Sequence, residues 1–202
     1  MIPSARRISW ANGLMAAVFV TMTTGSVSAQ TPPSRLDPLV RASARRLAIA
    51  EQVALSKWDS GAAVEDETRE AQVIVGAIRA GDAKGIDSVS MTRFFKAQIE
   101  ANKVVQYSLL ADWRRDGGAP AHTPIDLAKT IRPELDQLQA ELIAELASTK
   151  DIRSGANCRV EMATAIGNYL QAHHKGASKL NEIALDRALS ESCIHPTSGS
   201  TP

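Results

Sequence analysis

From Asp37 onward the chain repeats one pattern, apolar side chains three and four residues apart with polar ones between. That is the signature of helices that each bury one face. The spacing predicts a first helix over Asp37 to Lys57, bent or ended by "DSGAA". A second follows from about Glu65 to Arg79, with Glu65, Asp66 and Glu67 suited to the positive end of its dipole. A third runs from near Ser90 to Arg114 on a stripe of Phe95, Ile99, Leu110 and Trp113. A fourth carries Leu127, Ile131, Leu135, Leu138, Leu142 and Leu146, with Pro133 in its first turn or at a kink. Two shorter helices are predicted over about 157–174 and 178–192. "AGDAKGIDS", "RRDGGAPAHTPID" and "STKDIRSGAN" read as loops. No β-branched run alternates with turn signals, and there is no internal repeat. The fold class is therefore all-α: a helical bundle of about six helices, with long antiparallel members and ligand sites between facing helices.

Several of these stripes contain residues foreign to a core. In "RRLAIAEQVALSKW", Arg46, Ala50, Val53 and Lys57 fall within about 60° of one another around the helix. A cation on a buried face is costly unless an anion meets it, and Glu51 points well off that line. In "QIEANKVVQYSLLADW", Asn102 and Gln106 sit one turn apart on the stripe of Ile99, Phe95 and Trp113. Arg69, three residues after Asp66, shares a stripe with Val73, Gly76 and Ala77, and Arg132 edges the leucine stripe. Each alone has an ordinary explanation: a satisfied core amide, a surface Asp–Arg pair, an Arg snorkelling out of a bundle. Together, three Arg and a Lys on or near inward faces require anions. A multiply anionic small ligand in the bundle supplies them, and Arg grips a carboxylate by both oxygens. A neutral Gln beside a Lys suits an oxygen that gains partial negative charge.

Composition narrows the class. The 202 residues carry a formal net charge of +1, without the basic excess of a nucleic-acid binder. "MIPSARRISW" and "GLMAAVFV" form a basic start and a short apolar run, and Val27 and Ala29 suit the −3 and −1 positions of a cleavage site. Residues 1–29 therefore read as a secretory signal peptide cleaved after Ala29, leaving residues 30–202 as a single exported domain. No other apolar run approaches ~18 residues, so no membrane attachment is expected after cleavage. Periplasm and external medium both fit. Cys158 and Cys193 lie in the exported part, which predicts one disulfide in the C-terminal helices. It closes a loop of roughly 36 residues and is worth roughly 3–4 kcal/mol. His173 and His174 are adjacent, so they point to different helix faces, and no cluster has metal-ligand spacing. With no nucleophile beside a base and no Gly-rich phosphate loop, the expected chemistry uses neither proton transfer, metal nor cofactor.

The spacing Arg46–Lys57–Asp66–Arg69, followed by Asn102 and Gln106 in "EANKVVQYSLLADW", resembles the exported branch of the all-helical, AroQ-class chorismate mutases. "RLAIAEQVALSKW", the "QYS..ADW" motif, the signal peptide and the two cysteines are similar as well, so the resemblance spans essentially the whole mature chain. It implies a Claisen rearrangement of chorismate to prephenate without a cofactor, in a homodimer whose chains each complete their own site. It implies that Lys57 and Gln106 donate to the ether oxygen, where negative charge grows as the C–O bond breaks. Arg46 and Arg132 would hold one carboxylate and Arg69 the other region of the substrate. Asp66 would accept from the ring hydroxyl and help hold Lys57 or Arg69, and Asn102 would contact a carboxylate or the hydroxyl. Arg46, Lys57 and Gln106 are the expected catalytic residues.

The sequence departs from that family at three positions. Asn102 stands where relatives often have Ser or Thr, Val73 where some place a polar residue, and Gln106 where some secreted relatives have Glu. A Glu must be protonated to donate, whereas Gln needs no proton, so the rate is expected to be flat across roughly pH 5–8. Two other readings stay open. A non-catalytic exported binder of an anionic metabolite or partner peptide would keep the Arg residues without needing Lys57 and Gln106 to converge. A purely structural bundle would pair its cations with carboxylates such as Glu100, Glu134 or Asp136 and leave no cavity.

Overall fold

The apolar stripes fold into helices throughout, and the described residues contain no strand. The computed structural model describes residues 34–173 and 178–194, so the expected signal peptide and His174 lie outside the described residues. The helices are α1 (Asp37–Ala48), α2 (Ala50–Ser60), α3 (Glu67–Asp82), α4 (Ser88–Asp116), α5 (Arg132–Ser148), α6 (Lys150–Arg153), α7 (Cys158–His173) and α8 (Lys179–Leu189). A π-helical turn, Leu127–Ile131, leads into α5. None is long and apolar enough to cross a membrane.

The predicted first helix is a single run interrupted only at Ile49. That residue keeps right-handed dihedrals, φ −70° and ψ −19°. Its N–H still reaches the Arg45 carbonyl at 3.4 Å, and the Val53 N–H reaches its own carbonyl at 3.1 Å. Gly61 ends α2 and Gly117 ends α4, both left-handed (φ 68° and 83°), a conformation that carries a steric penalty for other residues. Asp66 and Asp87 cap α3 and α4 through the backbone N–H groups of Arg69 and Ser90. The "STKDIRSGAN" stretch, expected as a loop, holds the short helix α6. The backbone leaves helical geometry at the buried Thr149 (φ −109°, ψ 15°), whose hydroxyl donates back to the Glu145 carbonyl at 2.6 Å.

The helix α4, 29 residues and so about 43 Å long, is the spine. Helices α8, α3 and α2 pack along it, and α1 packs against α5, α7 and α8. The N-terminal half of α4 buries Met91, Phe94 and Phe95 in the main core with Leu39, Leu142 and Leu189. Burying each such side chain contributes about 1.5–3 kcal/mol. Its C-terminal half buries Leu110 and Trp113 against Ala54, Leu55 and Val64, with Trp58 edge-on to Trp113 at 5.9 Å. Asn102 and Gln106 lie on α4 between these two apolar ends.

The C-terminal region is tied back by the predicted disulfide, Cys158–Cys193, with its Cα atoms 5.9 Å apart. Beside it the buried Arg153 donates from Nε to the Leu146 carbonyl (3.1 Å) and from Nη1 to the Ser192 carbonyl (2.9 Å). Burial pushes this guanidinium down to about 10, with Asp87 partly offsetting it. At neutral pH it therefore remains a charge held by carbonyl dipoles. His173 sits exposed at the end of α7, stacked on Tyr169 with Nδ1 at 2.8 Å from that residue's carbonyl.

Candidate active site

Between α1–α2, α3, α4 and the π turn with α5 lies a cavity of about 140 Å³. All seven residues picked out from the sequence line it: Arg46, Lys57, Asp66, Arg69, Asn102, Gln106 and Arg132. Its wall carries five cations and three carboxylates, a surplus of two positive charges facing the space where a ligand would sit.

Arg46 projects from α1 and is only 6% exposed, with its Nε buried and without a partner. Burial, and then repulsion from Arg69, pushes the guanidinium down to about 10, while Asp136 pulls the other way. The side chain stays charged at neutral pH, and an anion entering the cavity relieves its desolvation. Lys57, half-buried on α2, donates to the Val64 carbonyl. Burial lowers its pKa, Asp66 and Glu70 partly offset this, and Lys103 adds to the lowering. An ammonium group carries three donors, so two remain after the Val64 contact.

The two amides of α4 form a relay. Asn102 Nδ2 donates to the Arg46 carbonyl at 3.1 Å. That fixes which end of the amide is oxygen, and Oδ1 then accepts from Gln106 Nε2 at 2.6 Å. A backbone carbonyl thus sets the orientation of Gln106, which keeps one N–H free. Gln106 is 4% exposed and its Oε1 is buried without a partner. Asn102 lines the cavity, and each end of its amide makes one bond within the protein, which leaves one N–H and one lone pair for the expected ligand contact.

Asp66 caps α3, its Oδ1 accepting from the Arg69 N–H at 3.0 Å. The Arg69 side chain, a third exposed, reaches Asp136 at 3.4 Å. Arg132 is exposed at the rim of the cavity, farther out than the inward edge of a leucine stripe suggests. Its position follows from the π turn. An α-helix begun at Leu127 would put Pro133 in its interior, where its ring collides with the preceding turn. One extra residue per turn lets the Arg132 N–H bond to the Leu127 carbonyl and leaves Pro133 at the start of α5, where no N–H is needed. Asp126 caps this turn through the N–H groups of Ala128 (2.9 Å) and Lys129 (3.1 Å).

Sequence reasoning missed Lys103, which also lines the cavity. Its side chain is 12% exposed, and its ammonium meets Glu100 at 2.8 Å, Glu70 at 3.3 Å and Glu65 at 3.9 Å. Burial alone would lower its pKa, but hydrogen bonds and charge from Glu100 and Glu70 outweigh burial and raise it. The i, i+3 pair with Glu100 is visible in the sequence but reads as surface. Only the approach of α3 encloses it. Two carboxylates weighed as structural partners, Glu100 and Asp136, do form ion pairs, yet the cavity is open and Arg46 is not closed by any of them.

Comparison with known proteins bears on the same region. Residues 37–107 match the family model described as chorismate mutase type II. The secreted chorismate mutase of Mycolicibacterium smegmatis is 31% identical over 160 residues, 79% of this chain and 87% of the relative. The protein of the same name from Mycobacterium tuberculosis is 28% identical, covering 79% of each chain. The crystal structure of chorismate mutase from Burkholderia phymatum superposes with a TM-score of 0.75 at 44% identity, over 80% of this chain and 97% of that one.

Proposed function

The chain belongs to the type II chorismate mutases, and we propose that its cavity turns chorismate into prephenate by holding the reactive chair and stabilising the breaking ether bond. It is an isomerase, and like the relatives named as secreted it is an exported one. The observation that carries the reading is charge matched to shape. A cavity with a surplus of two positive charges is lined by Lys57 from α2 and by Gln106 from α4.

Chorismate carries two carboxylates. Arg46, from inside, and Arg132, from the rim, grip one, and Arg69 attracts the other region of the substrate. Fixing both ends selects the folded conformer in which the reacting carbons approach. As the C–O bond breaks, Lys57 and the free N–H of Gln106 meet the charge growing on the ether oxygen. Preorganised donors in a dry site need no reorganisation at that moment. Asp66 accepts from the ring hydroxyl with the oxygen its cap leaves free. Asn102 is assigned to aiming Gln106. The chemistry asked of the site is modest, about 10⁶-fold or ~8 kcal/mol, and it moves no proton and needs no cofactor. The signal peptide over residues 1–29 and assembly as a homodimer belong to the same proposal. N-terminal sequencing of the exported protein and sedimentation test them.

The experiment is turnover of chorismate by the disulfide-bonded chain from Gln30, followed by loss of substrate absorbance with prephenate identified as product. Saturable turnover is expected without added metal or cofactor. Lys57→Ala is expected to lower kcat by about 10²–10³-fold, the effect of deleting one such donor, and to change ligand affinity far less. Tight chorismate binding with no turnover by the wild type would favour the non-catalytic binder instead.

A further inference from the structure

The loop that delivers Arg132 is fastened to the helix that carries Lys57. Residues 117–126 run from the end of α4 to the π turn, and Ala119 and Ile125 pack on the apolar cluster shared by α2 and α4. Between them His122, with a side chain only 18% exposed, points at the end of α2. Its Nε2 lies 3.0 Å from Asp59 Oδ2, and its Nδ1 lies 2.8 Å from the Pro120 carbonyl. Asp59 is two residues beyond Lys57 on the same helix.

Both ring nitrogens thus face acceptors. A neutral imidazole has one N–H and one lone pair, so one of the two contacts would set lone pair against lone pair. The imidazolium alone donates to both, so the closed arrangement is that of the charged ring. We propose that His122 is a positioning residue: its protonated ring clasps the 117–126 loop to Asp59 and, through the π turn, holds Arg132 where it receives the substrate carboxylate. The clasp rests on the reading of Arg132 as a carboxylate ligand.

The charges around the ring are accounted for. From α2, Asp59 faces it. The end of α4 meets the loop with Leu110 and Trp113, while its Asp112 and Arg115 pair with each other. On the loop itself, Asp126 is occupied with capping the π turn and with Lys129. The Pro120 carbonyl, and then Asp59, raise the imidazole above its ordinary value of 6.5. A raised value in the closed form means that the clasp is complete below the ordinary value and is lost as pH climbs through the raised one.

The consequence falls on KM and leaves kcat alone, because the ring is not among the charges acting on Lys57 and Gln106 carries no titrating proton. In the wild type, from about pH 5.5 to 8.5, KM for chorismate is expected to rise about two- to five-fold, the range open to a single ion pair near the surface. Saturated turnover is expected to stay flat. His122→Gln and Asp59→Asn should each give a pH-independent KM at the wild type's alkaline value. NMR titration of His122, assigned by the resonance missing in His122→Gln, should show a pKa above 6.5 that falls in Asp59→Asn. A constant wild-type KM, a His122→Gln enzyme that keeps the rise, or an unraised His122 titration each overturns the clasp. Failure of the mutase reading looks different: no turnover by the wild type at any pH, with the NMR titration still deciding whether the clasp forms.

Discussion

Gln106→Glu puts the amide relay under direct strain. In the wild type the Arg46 carbonyl holds Asn102 Nδ2 at 3.1 Å, and Asn102 Oδ1 holds Gln106 Nε2 at 2.6 Å. An amide nitrogen has two hydrogens, so one engages Asn102 and one serves the ether oxygen. A carboxyl group has a single proton for both tasks. Asn102 cannot turn its amide to release that proton without breaking its bond to the Arg46 carbonyl. An ionised carboxylate would press lone pairs against Oδ1 at a position only 4% exposed, which favours the protonated form. Two regimes follow. At acid pH the proton is shared between Asn102 and substrate, and kcat stays below wild type. As pH rises and the proton leaves, the donor is lost outright and kcat falls toward a floor about 10²–10³-fold below wild type, equivalent to about 3–4 kcal/mol. The assay is kcat at saturating chorismate across roughly pH 5–8, a range over which the wild type is expected to be flat. Asn102→Ala in the Gln106→Glu background frees the proton and should recover part of the acid limb. A Gln106→Glu enzyme with a flat profile at wild-type kcat would remove Gln106 from the ether oxygen and refute the relay.

Two further outcomes follow from burial and cross-linking. Arg46→Met should stabilise the ligand-free protein, since the guanidinium, pushed down to about 10 by burial and then by Arg69, carries a net penalty of about 3 kcal/mol at neutral pH. A base depressed in the fold bears that penalty in full below its folded value and sheds it as pH rises toward the unfolded one. Urea melts should therefore show a higher midpoint for the variant, while KM rises at least about tenfold, and a lower midpoint would show that Arg46 stabilises the empty site. Replacing Cys158 and Cys193 by Ser should lower stability by roughly 3–4 kcal/mol yet leave kcat at 25 °C unchanged, because α7 and α8 place no side chain in the cavity. A large fall in kcat in well-folded protein would contradict this separation.

How much of the site was legible depended on whether a residue breaks a local pattern. Arg46 and Lys57 stood out because a helical stripe cannot bury them unmet, and Asn102 and Gln106 because two amides one turn apart interrupt Phe95, Ile99 and Trp113. These are violations visible on one element. Lys103, Glu70 and Asp136 break no rule on their own helices and acquire meaning only when α3, α4 and α5 converge. The clasp was hidden for the same reason, since His122 and Asp59 are 63 residues apart in a loop and at a helix end. The breaks at "DSGAA" and "RRDGGAPAHTPID" were legible and hold the left-handed Gly61 and Gly117, whereas Asp66 and Asp87 emerge as helix caps only in the structure. The interruption at Ile49 and the π turn were not legible, because the first leaves the dihedrals right-handed and the second only shifts the hydrogen-bond register ahead of Pro133.

Side chains of one polypeptide, from α1–α2, α3, α4 and the π turn with α5, are enough to bring five cations together around the cavity. This bears on dilution. A site shared across a subunit boundary fades as the copies drift apart in a large volume, but a site enclosed within a single polypeptide keeps its geometry at any concentration. Such an enzyme can act at whatever sparse level it reaches its substrate, as soon as each molecule has folded.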